Sequence, residues 1–365
     1  MSNTPYDTLP DEQFWSRAVT GKTPPAVNYD PAPKLRFDLR TEKFATAGSC
    51  FAQHFARELV ARGGQLLFTE QRHPLVEEEA GHGYGLFSAR YGNLYSTLQL
   101  RDLLEQACGD RPPVFDFAQR EDGRWVDLLR PRAVPEGFSS AEECRADRRY
   151  HLGQVQKLVR DCTTWVFTLG LTETWMHAQQ GHAYALCPGV AGGRFDASVH
   201  QFRNLDFHAC HDQLDAAIRL LLRENPGIKV LLTVSPVMLV ATMEARGVLQ
   251  SSIASKSILR AVADACAREH AQVDYFPSYE IITGPQARGQ FFDVSGRDVT
   301  AAGVKLVMDS FFATRVHGVP AHAAASDAPI PHWSEAIQDV SAALDAECDE
   351  ILLDRRGSAD GTAPR

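Results

Sequence analysis

The chain has 365 residues and a net charge of −9, with 44% hydrophobic and 23% charged residues. This composition is typical of a globular protein with a large core, and the acidic balance argues against a nucleic-acid partner, because phosphate contacts need a basic surface. No apolar run reaches the ~18 residues of a membrane helix, so no membrane partner is expected. The first residues lack the basic and apolar regions of a signal peptide, which favours a cytoplasmic location.

The predicted elements alternate between short apolar strands and amphipathic helices. Such an alternation indicates βαβ units, and therefore an α/β fold with a parallel sheet covered by helices on both faces. In chain order we expect a strand at 43–47, a helix at 51–62, a strand at 65–69, a helix at 97–108, a hairpin around 122–123, a helix at 140–161, a strand at 163–169, and then a helix at 208–224, a strand at 229–235, a helix at 252–270, a strand at 273–277 and a helix at 300–313.

One domain with insertions explains the chain better than two domains, because no strong linker is visible. Residues 1–40 are rich in Pro, Asp and Thr and predict either an arm that packs on the body through Phe14 and Trp15 or a partly disordered segment. The remainder divides into an α/β domain at 41–350, insertions within it at 73–93 and 111–137, and a flexible tail at 351–365.

The eight cysteines are widely spread and form no CxxC pair, which argues against a structural zinc site and a dense disulfide framework. Most are therefore expected to be reduced, small residues of the core.

The turn between the first predicted strand and helix, Gly48-Ser49-Cys50, is the first candidate site. In an open parallel sheet, sites form beyond the carboxyl ends of strands. A side chain at a helix N-terminus lies in a positive field and near free backbone N–H groups, which lower a thiol pKa and stabilise an oxyanion. Cys50 and Ser49 are therefore candidate nucleophiles. The alternative is an ordinary serine N-cap followed by a buried cysteine.

Two other predicted strand ends carry polar residues. After the 163–169 strand, Thr172 is expected to cap a helix, and Thr172 or Glu173 is a candidate to project into a cleft. Asp298, in the loop before the last major helix, is a candidate to reach the same cleft. The alternatives are helix capping with a dipole-compensating Glu173 and simple turn chemistry around Asp298.

Further candidates come from the Gly-rich loop and from two histidines. The loop at 73–93 ends at Gly92 and Asn93, whose backbone and amide are candidate oxyanion donors. His54 lies four residues after Cys50, on the same helix face, where an imidazole would activate the thiol. His200 is a weaker candidate, because a lone histidine is more often structural.

Several short motifs, taken together and in order, resemble the GSCFA-domain family, a bacterial group placed among the SGNH/GDSL-like hydrolases. A set of ordered motifs is more specific than a single short match. The resemblance covers roughly residues 1–315 and is carried by AGSCFAQH at 47–54, YGLFSARYGNLY at 84–95, TLGLTETW at 168–175, the Cys-Pro-Gly to Phe-Arg-Asn stretch at 187–204, TVSPV at 233–237, SK at 255–256 and YFPSYE at 275–280.

The resemblance implies a flavodoxin-like three-layer sandwich with a central parallel sheet, of the SGNH-hydrolase type. It also implies an esterase or O-acyltransferase that acts on a polar, glycan-like or natural-product substrate through a covalent acyl-enzyme. Aligned with the Gly-Asp-Ser block of SGNH enzymes, Cys50 takes the nucleophile position, with Ser49 as runner-up. Gly92 matches the oxyanion-hole glycine, and Thr172 takes the position of the asparagine donor.

The chain departs from the SGNH pattern at Asp298, which stands where those enzymes carry the general-base histidine. An aspartate replaces an imidazole only with a strongly raised pKa, so another base is expected, with His54 and His200 as candidates. One alternative is a ligand-binding protein that has lost the base. Another is a metal enzyme with ligands at Cys50, His54, Cys187 and His200, although that spacing matches no familiar pattern.

No cofactor or metal is expected from this reading. An acyl donor such as acetyl-CoA would be required if the protein is a transferase, and the expected partner is a small molecule or glycan. The sequence leaves the oligomeric state open.

Overall fold

A computed structural model of the protein describes residues 4–71, 82–317 and 351–354. Its strands, in chain order, are β1 Phe37–Asp38, β2 Lys43–Gly48, β3 Gln65–Leu66, β4 Phe117–Gln119, β5 Trp125–Asp127, β6 Thr164–Leu169, β7 Glu173–His177, β8 Ala183–Tyr184, β9 His200–Asn204, β10 Lys229–Val234, β11 Val273–Tyr275 and β12 Val316–His317.

The α-helices cover the sheet and connect its strands. They are α1 Trp15–Ala18, α2 Cys50–Ala61, α3 Thr97–Cys108, α4 Ala141–Asp161, α5 Phe207–Glu224, α6 Val248–Glu269, α7 Ser278–Thr283, α8 Ala301–Arg315 and α9 Ile351–Asp354. Short 3₁₀ turns lie at Pro5–Thr8, Asp11–Gln13, Pro24–Ala26 and Pro285–Ala287.

The centre of the fold is a five-stranded parallel sheet in the order β11-β10-β6-β2-β3. Strand β6 is buried along its whole length, and its side chains alternate between the two faces, as the pleat requires. Trp165 and Phe167 pack on α3, α4, α5 and α6, whereas Val166 packs on α2, α7 and α8. The expected α/β fold, a three-layer sandwich with a central parallel sheet, is confirmed.

The major predicted helices and strands agree with the structure to within a few residues, because each carries a long periodic pattern. Helix α3 has the expected bounds, and Ser96 caps it by accepting the Gln99 backbone N–H. The hairpin expected around Asp122 and Gly123 is also present, as the antiparallel pair β4–β5.

A second sheet, of three antiparallel strands in the order β8-β7-β9, has no counterpart in the predicted elements. The helix expected after Thr172 is wrong, because β7 begins at Glu173. The β-forming residues Thr174 and Trp175 pair with β9 there, and this pairing overrides the local resemblance to a capped helix start.

A buried ionic cluster lies beside the β4–β5 hairpin, where the hairpin meets α4 and the loop after β3. The Glu70 carboxylate accepts the Arg90 backbone N–H at 2.8 Å and contacts His151 Nδ1 at 2.7 Å. Arg130 pairs with Asp127 at 3.0 Å and with Asp147 at 2.6 Å. These contacts join segments that lie far apart in the sequence, so the insertion at 111–137 is tied firmly to the body.

The N-terminal segment contacts the body through residues other than those expected. Trp15 is 64% exposed, which contradicts its expected role as an anchor. The buried Arg315 of α8 instead binds Asp30 and Asp274, and Phe37 is fully buried where β1 pairs with β12. The ion pairs of a buried guanidinium and the burial of Phe37, and not the exposed Trp15, therefore fix this segment.

Replacing Trp15 with alanine should change the free energy of unfolding by less than ~0.5 kcal/mol, because an exposed side chain loses little contact on truncation. Urea denaturation followed by circular dichroism measures this. A loss above ~1 kcal/mol would mean that the indole packs on the body after all.

Part of the predicted domain plan falls outside the described residues. The loop expected at 73–93 is described only from residue 82, and of the tail expected at 351–365 only α9 is described. Among the helices that the structure describes, none combines the length and the apolar composition needed to span a bilayer.

Candidate active site at the switch point of the sheet

The Gly48-Ser49-Cys50 turn lies at the point where the strand order of the sheet reverses. Numbered along the chain, the five parallel strands run in the order 2-1-3-4-5 across the sheet, and β2 and β6 are the neighbours at the switch. In open α/β sheets the ligand crevice forms outside the carboxyl ends of the strands at this point. Topology therefore favours this turn as the functional site.

Gly48 is required by the close approach of two strands. Its φ is +135°, and a Cβ atom on it would lie 2.4 Å from the Thr168 carbonyl oxygen. The Ser49 N–H donates to that same oxygen at 3.2 Å, and the Leu94 N–H donates to the Gly48 oxygen at 2.8 Å. The turn is thus fixed by backbone contacts on both sides.

Ser49 and Cys50 are both buried at the start of α2. Ser49 occupies the N-cap position, yet its side chain makes no capping bond, and its Oγ has no hydrogen-bond partner. The buried Thr168 Oγ1 lacks a partner as well. Cys50 is 4% exposed and packs among the apolar side chains of Tyr95, Leu171, Val237 and Leu239. Buried hydroxyls are normally satisfied, so the two at this turn are candidates to bind a water molecule or a ligand.

The face of α2 that carries Cys50 continues through Gln53, His54 and Arg57, which lie three to four residues apart. An Arg57 guanidinium nitrogen lies 2.9 Å from His54 Nδ1. Because a guanidinium only donates, Nδ1 is the acceptor, and the proton of a neutral imidazole then sits on Nε2. In this arrangement His54 offers a donor rather than a base.

The segment with Gly92 and Asn93 does reach the turn, as expected. Asn93 is buried, and its Oδ1 accepts from Gln53 Nε2 at 3.5 Å. Two residues later, the Tyr95 carbonyl accepts the N–H groups of Gly170 and Leu171. This segment therefore bridges the ends of β2 and β6.

Thr172 and Glu173 hold the end of β6 to its surroundings. The Thr172 hydroxyl donates to Asn204 Oδ1 at 2.7 Å, and its N–H donates to Ser255 Oγ at 3.0 Å. The Glu173 carboxylate accepts from the Thr242 hydroxyl and from the Met243 N–H. Donation from Thr172 to an oxyanion would thus require the loss of its bond to Asn204.

The loop before α8 also reaches the turn, although Asp298 does not point into an empty cleft. Its carboxylate pairs with Arg297 at 2.7 Å, and its side chain is 47% exposed. The next residue, Val299, packs on the apolar cluster around Cys50, and Thr300 caps α8 by accepting the Gly303 N–H.

The structure does not bring His200 to the turn. It lies opposite His177 on the β7–β9 ladder, four residues along the strand from the Glu173–Asn204 pair, which is about 13 Å at the usual strand rise. Its Nδ1 accepts the Asp196 N–H at 3.0 Å, so a neutral ring carries its proton on Nε2.

The polar residues that line the site from α6 are absent from the candidates drawn from sequence. Lys256 is fully buried, and its Nζ donates to the Gly170 carbonyl at 2.7 Å. Ser251, Ser252 and Ser255 are buried on the same helix. Two signals existed: Ser255 and Lys256 form one of the motifs that carry the family resemblance, and the polar residues recur at helical spacing in a stripe that resembles a solvated face.

The described residues contain one group of His, Cys, Asp and Glu side chains that is compact enough to hold a metal ion, formed by Asp215, Glu269 and His270. It joins α5 to the C-terminal end of α6, and its members are already paired, with His270 Nε2 2.7 Å from Asp215. The metal ligand set considered from sequence, which centres on Cys50 and His200, is not assembled, because His200 lies far along the hairpin.

Comparison with known proteins gives one finding on identity. No curated protein matches the chain. The model of the GSCFA family matches residues 43–311, which include the strand–turn–helix at Cys50, the β6 end and Lys256. The match spans more than half of the chain, and it agrees with the resemblance carried by the short motifs. The protein therefore belongs to the GSCFA family.

Proposed function

We propose that the protein is an acyl-transfer enzyme, an esterase or O-acyltransferase, in which Cys50 forms a covalent acyl-enzyme. The observation that carries the proposal is the position of Cys50, the first residue of α2, at the switch point of the parallel sheet. A thiol there lies at the positive end of the helix dipole, a position that favours the thiolate form.

The oxyanion of the tetrahedral intermediate would be held by backbone and amide donors around the turn. The start of α2 supplies the backbone N–H groups of a helix N-terminus, and Asn93, which is hydrogen-bonded to Gln53 of α2, brings its amide and the neighbouring Gly92 backbone to the same helix. Ser49, with its unpartnered buried hydroxyl, is the second candidate nucleophile or a further donor.

The surroundings of Cys50 favour a small acyl group on a polar acceptor. Apolar side chains, Tyr95, Leu171, Val237 and Leu239, enclose the thiol and suit the carbon part of an acyl group. Asn204 and Glu244, joined at 3.1 Å, add polar groups near the end of β6 that suit a hydroxylated substrate such as a glycan or natural product. For transfer rather than hydrolysis, acetyl-CoA is the proposed type of donor.

The test is turnover of p-nitrophenyl acetate and acetyl-CoA by the full chain, with intact-mass detection of an acyl adduct. Cys50→Ala should lower turnover at least about a thousandfold and abolish the adduct, because removal of a nucleophile removes the covalent path. Cys187→Ala, which removes a partly exposed thiol outside the turn, is the control, and its turnover should be unaffected.

Ser49→Ala separates the two candidate nucleophiles. If it abolishes the adduct while Cys50→Ala keeps it, the nucleophile is the serine. Full turnover in both variants contradicts the assignment of the site. Ligand binding to the wild type without any adduct favours the alternative of a binding protein that has lost its base.

A further inference from the structure

Lys256 is the charged side chain most deeply enclosed beside the Cys50 turn. It is 0% exposed, and its Nζ donates to the Gly170 carbonyl at 2.7 Å. Burying an ammonium group costs several kcal/mol unless other groups compensate for the lost water. A lysine in this position therefore either pairs with a negative charge or does chemical work.

Gly170, which Lys256 holds, packs directly on the turn. A Cβ atom on Gly170 would lie 3.0 Å from the Tyr95 carbonyl oxygen and 3.2 Å from the Ser49 Cβ atom, so glycine fits this close contact best. Leu171 follows it and belongs to the apolar cluster around Cys50, and Ser255 accepts the N–H of Thr172. The ammonium group of Lys256 is thus held by the segment Gly170–Thr172, which lies beside the Cys50 turn.

The two histidines are less suited to accept or stabilise a proton from the thiol. Each accepts a hydrogen bond at Nδ1, His54 from Arg57 and His200 from the Asp196 N–H, which leaves Nε2 protonated in the neutral ring. His200 is also distant along its strand. The chain carries Asp298 where SGNH enzymes have their histidine, and that carboxylate pairs with Arg297.

We propose that Lys256 takes the place of the missing histidine as a positioning residue, and that its ammonium charge holds the Cys50 sulfur in the thiolate form. This inference rests on the proposed function. The thiolate attacks the acyl carbon, the new C–S bond forms, and the C–O bond to the leaving alcohol breaks with its electron pair on oxygen. The alkoxide then takes a proton from water; with acetyl-CoA, the C–S bond to CoA breaks instead, the CoA thiolate leaves, and it takes its proton from water in the same way. The hydroxide so formed either attacks the acyl carbon itself or removes the proton of an acceptor alcohol whose oxygen attacks it, and the C–S bond to Cys50 breaks to restore the thiolate.

Other charged groups lie on the elements around the turn, and the test must leave them unchanged. They belong to α2, β7 and the loop before α8: His54, Arg57, Glu173, Arg297 and Asp298. Lys256→Met removes the charge but keeps a long unbranched side chain, whereas Lys256→Arg keeps the charge.

The experiment measures alkylation of Cys50 by iodoacetamide against pH in the full chain, with peptide mass spectrometry as the readout and Cys187 as an internal reference. In Lys256→Met the rate at neutral pH should fall about 10- to 100-fold and its midpoint should move to higher pH, since a nearby opposite charge typically shifts a pKa by one to three units. Lys256→Arg should recover most of the rate, and Cys187 should not change.

An unchanged midpoint in a folded Lys256→Met variant overturns the inference, because a purely structural clamp would not alter the titration of the thiol. The wild type alone gives a second test: a Cys50 midpoint at or above that of Cys187, or a Cys50 that never reacts, also overturns it. A low midpoint without any acyl adduct supports the role of Lys256 and contradicts acyl transfer. An acyl adduct on Cys50 together with an unshifted alkylation midpoint supports acyl transfer and contradicts the role of Lys256.

Discussion

Gly48→Ala should destabilise the protein by roughly 3–5 kcal/mol or prevent it from folding. Two costs add at this position. A non-glycine residue at φ +135° is strained by about 1–3 kcal/mol, and the new Cβ would lie 2.4 Å from the Thr168 oxygen, which belongs to the backbone of the central strand and cannot move cheaply. Urea denaturation of the purified variant measures the loss, and thiol alkylation reports whether the Cys50 turn survives.

Gly109→Ala is the matched control. Gly109 also has a positive φ, +88°, at the C-terminal end of α3, but a Cβ atom there would meet nothing within 4 Å. Only the backbone strain of a non-glycine residue at positive φ applies here, so the free energy of unfolding should fall by about 1 kcal/mol. Similar losses in both variants would mean that the strands at Gly48 can separate, and that the turn is less rigid than its contacts indicate.

Glu70→Gln should cost roughly 3–5 kcal/mol, because it leaves buried arginines without one of their compensating charges. The carboxylate is buried and contacts His151 and the Arg90 backbone, with Arg130 close by. Glutamine keeps the shape but not the charge, so the loss measures electrostatics rather than packing. Glu136→Gln, at a half-exposed pair with His82, is the control and should cost less than ~1 kcal/mol.

The same cluster should make the protein sensitive to acid. Burial alone would raise the pKa of Glu70, but His151, Arg130 and Arg90 outweigh it and lower the pKa to about 2. Burial, helped by Arg130, lowers the pKa of His151 to about 4. Both folded pKa values lie below the unfolded ones, so each group contributes stability at higher pH that is lost as the pH falls.

For His151 the loss should run from pH ~6.5 down to about 4, and for Glu70 from ~4.3 down to about 2. The free-energy gap between the wild type and Glu70→Gln should therefore stay constant near neutrality and shrink below pH ~4.3. Urea midpoints measured across this range test it. A gap that widens on acidification would contradict the assignment of Glu70 as the buried carboxylate that titrates.

The parallel sheet was predictable because its strands are short apolar runs between amphipathic helices. The bounds of α3 and the position of β6 follow directly from that periodicity. The β7–β9 ladder was not predictable, because Gly170 followed by Thr172 and Glu173 has the local pattern of a capped helix. The pairing that decides the matter comes from β9, which lies beyond an irregular segment, and a local pattern contains no information about such a partner.

The candidate site was predictable in its centre and not in its periphery. The pattern of a strand, a short turn with reactive side chains and a helix identified Ser49 and Cys50. The topology of the sheet places both at the switch point. Lys256 was missed because a lysine among serines on a helix normally faces water. Only the fold reveals that this stripe is turned inward, toward the Gly170 carbonyl.

The backbone bonds that fix the Cys50 turn have a consequence for how the protein matures. Leu94 and Thr168 hold Gly48 and Ser49 in place, and both lie well downstream in the chain. A nascent chain on the ribosome thus exposes an ordinary cysteine until the β6 strand has been synthesised and inserted beside β2. The turn around this thiol is therefore completed late, and alkylation of Cys50 during synthesis or refolding would report when β2 and β6 pair.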